Sequence, residues 1–240
     1  MKWILSIITG ADGLMIKNNE AISVIIRSKN EERWIGHSIQ SVIDTFQNVE
    51  IIIVDNGSID ETLLITKNFI EDPNFINKNG SYADIKIFNL ESYTPGKSIN
   101  YGISKCKNEN IMLLSAHCII QKFENIIFDK LDKYKCIFGK QIPIWNGKKI
   151  SKRYIWSHFI DDEKINMFSN LENRYFFHNA ASLFKKDILL KFPFNENLTG
   201  KEDRYWINSF IKNKFNFLYC PLFSVHHHYT PNGNTWKGLA

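Results

Sequence analysis

The residues of this chain best suited to chemistry stand at the ends of apolar runs. Ile51-Ile52-Ile53-Val54 leads directly into Asp55, then Asn56-Gly57. Ala21-Ile22-Ser23-Val24-Ile25-Ile26 leads into Arg27-Ser28-Lys29-Asn30. Two cations and a carboxylate brought together suit a nucleotide: cations for the phosphates, a carboxylate for a base N–H or the ribose hydroxyls. An ordinary strand–turn–helix joint would also use Asp55, as a turn former, and the residues alone leave both readings open. Further on, Glu202-Asp203 follows the loop Asn197-Leu198-Thr199-Gly200-Lys201. Paired carboxylates suit general acid–base work, but acids at a helix N-terminus also favour the helix dipole. The imidazoles stand in Ser115-Ala116-His117 and in the run His226-His227-His228. Strand geometry sends the middle residue of such a run away from its neighbours, so His226 and His228 are the expected pair.

The elements that must position these groups are legible from periodicity. Four β-branched residues in a row read as a strand buried on both faces, as in a parallel sheet. Asn56-Gly57 is turn chemistry. Ser58 and Glu61 have capping-box spacing, so a helix is expected to start there. After the first run, Trp34, Ile35, Ile39, Val42, Ile43 and Phe46 recur at helical spacing. Further strands are expected at 85–88, 111–114, 136–138 and 217–219, with helices after Pro95-Gly96, around 123–131 and after Glu202. This alternation gives an α/β fold with a mostly parallel sheet flanked by helices. Ligands bind such sheets beyond the carboxyl ends of the strands, where Arg27, Lys29 and Asp55 fall. Residues 144–175 mix Trp145, Tyr154, Trp156, Phe159 and Phe168 with many charges at neither period. They read as an irregular, partly helical insert, in which Asp161-Asp162-Glu163 could bind metal but is more simply a solvated acidic face.

The segments at 22–30 and 51–62 resemble the opening of family 2 glycosyltransferases of the GT-A fold. The resemblance continues through Tyr93-Thr94-Pro95-Gly96-Lys97-Ser98-Ile99-Asn100, Leu113-Leu114-Ser115-Ala116-His117 and Phe138-Gly139-Lys140-Gln141. Phe176-Phe177-His178-Asn179, Glu202-Asp203-Arg204-Tyr205-Trp206 and the histidine run complete it. It spans most of residues 21–230, and Ser115-Ala116-His117 resembles a subset with Ser-Ala-His in place of Asp-x-Asp.

The resemblance implies a Rossmann-like GT-A domain over 21–230, with a smaller acceptor-side region. Its nucleotide-sugar-binding half would be 21–120 and its acceptor-binding, catalytic half 121–230. Residues 1–20 are an extension with no assigned role and 231–240 a tail. The implied reaction moves a sugar from a nucleotide-sugar to a hydroxyl of a surface glycan, of capsule or lipopolysaccharide type, with inversion. Asp203 would be the base and Glu202 would help shape the site. Arg27, Lys29, Asn30, Asp55 and Lys97 would hold the donor. Asn179 and Trp206 are weaker candidates for the sugar or acceptor face, and turn formation and core packing account for them as well. The departure lies at Ser115-Ala116-His117, where both metal-binding aspartates of most relatives are missing. A divalent metal would then fall to His117, His226, His228 and Ser115, with Mn²⁺ favoured over Mg²⁺ because carboxylates are few. Alternatively, His117, His226 or Lys97 would stabilise the diphosphate directly.

The bulk properties restrict the alternatives. A chain of 240 residues can bury a large core as one domain. Its net charge of +5 is spread out, with no basic stripe, so no nucleic-acid partner is expected. The mildly basic surface suits an anionic donor or peripheral contact with an anionic membrane. No stretch is long enough to span a membrane. Four cysteines without Cys-x-x-Cys spacing read as buried thiols in a reducing cytosol, Cys118 included. The expected location is cytoplasmic, at the inner face of the membrane, with a glycan or lipid-linked glycan acceptor and possible membership of a larger synthesis assembly. Phosphate-loop, dinucleotide and nucleophile-elbow motifs are missing. Two other readings stay open: a catalytically weak nucleotide- or glycan-binding module serving a larger synthase, and a nucleotidyltransferase. The second lacks a glycine after the first strand until Gly36.

Overall fold

The computed structural model describes residues 20–71, 82–150 and 154–236. The expected extension before residue 20 and the end of the tail lie outside the described residues. Strands β1 (Ile22–Ser28), β2 (Asn48–Asp55), β3 (Tyr82–Asn89) and β4 (Asn110–Ser115) alternate with helices α1 (Ile35–Thr45), α2 (Thr62–Glu71) and α3 (Pro95–Lys105). Next come β5 (Cys118–Phe123), α4 (Ile126–Tyr134), β6 (Cys136–Trp145) and β7 (Lys148–Lys149). The insert holds a 3₁₀ turn (Tyr154–His158) and the short strands β8 (Lys164–Ile165), β9 (Phe168–Ser169) and β10 (Arg174–Tyr175). The chain closes with β11 (Ala181–Lys185), α5 (Lys186–Lys191), α6 (Glu202–Lys212), β12 (Leu218–His228) and a 3₁₀ turn (Asn234–Trp236).

The main path of the large sheet runs β3-β2-β1-β4-β11-β6-β12-β5. Its first four strands are parallel to their neighbours, and β11 enters antiparallel between β4 and β6. Both faces are covered, which is why β2 buries every residue after Asn48. Alternation divides β1 between two cores. Ile22, Val24 and Ile26 pack with Ile39 and Val42 of α1, whereas Ile25 packs with Ile99 of α3 and Trp206 of α6. Truncating one such buried isoleucine to alanine costs about 2–5 kcal/mol.

Local chemistry overrode one expected boundary. Ser58 does not cap a helix; its hydroxyl accepts from Asn30 N at 2.9 Å and donates to Asp55 Oδ1 at 2.6 Å. Helix α2 starts only at Thr62, whose N–H is taken by Asp60 Oδ1 at 3.1 Å. The final strand runs well past 217–219 and includes all three histidines. It tolerates Pro221 because its pairing shifts register between Cys220 and Ser224.

Candidate active site

Helix α1 carries the chain from β1 to β2 on one side, and α3 brings it back to β4 on the other. The order of parallel strands therefore reverses between β1 and β4, the place where such sheets open a crevice. Arg27 and Ser115 are paired in register across that opening. Above them is a cleft of about 540 Å³. Arg27, Lys29, Ser115 and His117 line it from the parallel half; Asn179, Glu202, Asp203 and Arg204 line it from the other.

Glu202 is buried at the start of α6. Asn179 Nδ2 donates to its Oε1 at 3.0 Å, and Arg27 Nη1 lies 3.8 Å from the same oxygen. Asp203 faces the cleft and accepts from its neighbour Arg204 N at 2.8 Å. Burial, reinforced by the Glu202 charge, pushes the Asp203 carboxyl up to about 7. The residue before the helix, Lys201, has a left-handed backbone with φ of 63°. A lysine there costs about 1–2 kcal/mol, a strain of the kind found at functional sites.

The imidazoles form a connected line. His117 Nδ1 lies 3.1 Å from Glu31 Oε1, and its Nε2 lies 3.1 Å from His227 Nε2. His227 Nδ1 lies 2.8 Å from Gln141 Oε1, and Gln141 Nε2 lies 3.0 Å from His178 Nδ1. Burial, with Arg174 and Arg204 nearby, pushes His178 down to about 3, and burial holds His227 well below the usual histidine range. It is therefore His227 that meets His117, rather than the flanking His226 and His228 expected from alternation. The alternation is real, but packing turns the middle ring inward. His228 stacks on Trp34 at 4.0 Å on the other face.

These residues fit a divalent metal in one respect. The two Nε2 atoms converge with ring centroids only 4.9 Å apart, and each Nδ1 is held from behind by an oxygen acceptor. Metal-binding histidines are oriented this way. Two nitrogens each about 2.1 Å from one ion at a right angle are about 3 Å apart. No group of three metal-ligating side chains occurs among the described residues, so donor oxygens or water would have to complete the coordination. Nitrogen ligands suit a transition metal better than Mg²⁺.

Several expected residues are placed elsewhere. Asp55 is fully buried beneath the cleft, where it accepts from Ser28 Oγ at 3.0 Å and from Ser58 N at 2.8 Å. It shapes the turn in this state. Asn30 has a φ of 52° and caps Ile59 N at 2.9 Å, outside the lining. Lys97 turns to Ser92. Trp206 is core: it donates to Phe192 O at 2.7 Å and stacks on Phe210 at 5.0 Å. Cys118 is fully buried, and burial raises its thiol well above the usual range.

Three features escaped periodicity. Glu31, Gln141 and His178 carry no local signal, since their partners are dozens of residues away. The Arg174–Glu172–Arg204 cluster on the cleft rim belongs to the insert and to α6. The Thr94-Pro95-Gly96 turn serves as a clamp. A Cβ on Gly96 would come within 2.3 Å of Asn195 O, and Asn100 both donates to Phe194 O (2.8 Å) and accepts from Phe194 N (3.0 Å). The clamp fixes the loop that delivers Glu202 and Asp203.

Residues 23–192 match the family described as "Glycosyl transferase family 2". The chain is 24% identical over 199 residues to the GalNAc(5)-diNAcBac-PP-undecaprenol beta-1,3-glucosyltransferase of Campylobacter jejuni, covering 81% of this chain and 61% of that one. Over 52 residues it is 36% identical to a 4,4'-diaponeurosporenoate glycosyltransferase of Staphylococcus aureus, or 22% of this chain and 14% of the relative. Among solved structures, S. aureus TarS 1-349 with UDP-GlcNAc superposes with a TM-score of 0.65 at 18% identity, covering 91% of this chain and 61% of that one. The mannosyltransferase PcManGT of Pyrobaculum calidifontis, with GDP-Man and Mn²⁺, gives 0.63 at 12% identity, covering 90% and 59%. The chain thus spans at most 61% of each of these proteins. The architecture is the GT-A fold.

Proposed function

This chain belongs to glycosyl transferase family 2, and on that premise we propose that it moves a sugar from a nucleotide-sugar to a hydroxyl of a glycan or lipid-linked glycan, with inversion. Asp203 is the base. It takes the proton of the acceptor hydroxyl as that oxygen attacks the anomeric carbon, and the bond from that carbon to the diphosphate oxygen breaks. A carboxylate whose proton affinity is raised to near neutrality is well matched to this task. The Glu202-Asp203 pair at the start of α6, facing the same cleft as the cations at the end of β1, is the observation that carries the reading.

Glu202 is a positioning residue. Tied to Asn179 and Arg27, it couples the start of α6 to the end of β1 and raises the basicity of Asp203. Arg27 and Lys29 lie where the leaving diphosphate needs positive charge. His117 and His227 would hold a transition metal, which when bound neutralises charge on that diphosphate. The relative named for an undecaprenol-linked glycan supports an acceptor of the surface-glycan type. No helix among the described residues is long and apolar enough to cross a membrane. The proposed place of action is the inner membrane face, supported by the net charge of +5.

The test is a thermal-shift panel of UDP, GDP, CDP and dTDP, each with Mn²⁺, Mg²⁺ or EDTA. A ligand that binds only the native state raises its melting temperature by mass action. One nucleotide should stand out; a flat response across the whole panel sinks the donor site.

A further inference from the structure

Arg27 and Lys29 are not the only cations of the cleft. Arg174, Lys201 and Arg204 also line it, and all three come from residues 121–230, the half expected to face the acceptor. Arg174 lies on β10, Lys201 precedes α6 and Arg204 is in its first turn. Besides Glu202 and Asp203, one further carboxylate, Glu172, meets these cations, and it is overcommitted. Glu172 pairs with Arg174 Nη2, lies 3.1 Å from Arg204 Nη2 and accepts from Tyr154 Oη at 3.0 Å. Over the whole lining, the five cations Arg27, Lys29, Arg174, Lys201 and Arg204 outnumber the carboxylates Glu31, Glu202 and Asp203, so an excess of positive charge faces the cleft. Their donors are also underused: Arg174 Nε is buried with no partner, and Lys201 makes no ion pair among the described residues. Arg174 Nη1 donates to Tyr175 O at 3.0 Å and Nη2 is held by Glu172, so Arg204 and Lys201 are the donors that can turn to a phosphate or carboxylate, with Arg174 adding charge behind them.

The reaction geometry decides which substrate this charge serves. Inversion places the attacking hydroxyl and the leaving diphosphate on opposite sides of the anomeric carbon. The base must be on the hydroxyl side. Arg27 and Lys29 stand with Ser115 and His117 at the ends of β1 and β4. Arg204 follows Asp203 in the first turn of α6 and donates its N–H to it at 2.8 Å, and Arg174 shares Glu172 with Arg204. The geometry points to an anionic acceptor: one whose phosphate or carboxylate is seated on Arg174, Arg204 and Lys201 while a neighbouring hydroxyl reaches Asp203. This rests on the transferase reading above and names the substrate class of that site.

The test uses ligand-observed NMR titrations of the full chain with glucose, glucose 6-phosphate and glucuronate, with nucleotide affinity measured in parallel. The unaltered protein should bind at least one charged sugar at least tenfold more tightly than glucose, with the margin shrinking as salt rises. Phosphate preferred over carboxylate identifies a phosphorylated acceptor; the reverse identifies an acidic sugar. Arg174→Gln combined with Arg204→Gln should reduce the margin to threefold or less at unchanged nucleotide affinity. Lys201→Gln, at an exposed position where folding is not at stake, should remove about threefold by itself. Equal binding of all three sugars by the unaltered protein overturns the inference, as does a margin that survives in Lys201→Gln and in the double variant. Weaker nucleotide binding in the variants would assign the cluster to the diphosphate and overturn it too. Failure of every nucleoside diphosphate to bind the unaltered chain defeats the transferase reading itself, and is scored in the nucleotide arm alone.

Discussion

Replacing Asp203 by asparagine should make this protein more stable and nearly inactive. The carboxyl rises from an ordinary 3.8 to about 7 because it is partly withdrawn from water and lies beside Glu202. A group whose folded pKa is raised binds its proton more tightly in the native state than in the unfolded one. Its ionisation therefore costs folding free energy. The cost is absent below pH 3.8, grows as pH climbs to about 7 and is constant above that. At 1.36 kcal/mol per pH unit the ceiling is about 4 kcal/mol. Asp203 is only partly buried and faces an open cleft, so solvent screening reduces the expected cost to about 1–2 kcal/mol. Asparagine keeps the oxygen that accepts from Arg204 N and removes the charge. Asp203→Asn should thus gain about 1–2 kcal/mol at pH 8, or about 2–8 °C in melting temperature, and nothing at pH 4. Transfer should fall by about 10²–10⁴-fold. In the unaltered protein, kcat/KM should rise with pH and level off above the ordinary carboxylate range, between about 5 and 7 according to how far solvent screens the site. The assays are thermal melts at both pH values and initial rates across the pH range. Equal melting temperatures at pH 8, or equal destabilisation at both, would refute the strained carboxylate. Near wild-type turnover would refute the base.

Three further outcomes are expected. His117→Ala and His227→Ala should each abolish any Mn²⁺-dependent thermal shift of the nucleotide-bound protein, whereas His226→Ala should leave it; a shift lost only with His226 would reverse the assignment. Asp55→Ala strips the acceptor from Ser28 and Ser58 in a buried turn, so it should cost about 2–4 kcal/mol in denaturant melts. Weaker nucleotide binding at full stability would instead restore Asp55 as a direct donor contact. Gly96→Ala would set a Cβ against Asn195 O and should displace the loop before α6, lowering kcat more than nucleotide affinity; unchanged kcat would show that the clamp does not govern Asp203.

Much of this protein is written in local patterns. β-Branched runs at 22–26 and 51–54 make strands buried on both faces, and their order with the intervening helices creates the switch point between β1 and β4. The start of α6 at Glu202 is equally local, but its meeting with Arg27 and Lys29 around one cleft was expected only through the resemblance to family 2 glycosyltransferases. What the tertiary structure decided was the direction of individual side chains. Alternation along β12 separates His227 from His226 and His228, but only the packing of β12 between β6 and β5 determines which set faces His117. Asp55 stands at the strand end as the pattern requires, yet Ser28 and Ser58 close over it. Glu31 meets His117 across 86 residues, and His117 meets His227 across 110. Contacts of that span leave no periodic trace, because each residue answers to a neighbour that only the closed sheet brings within reach.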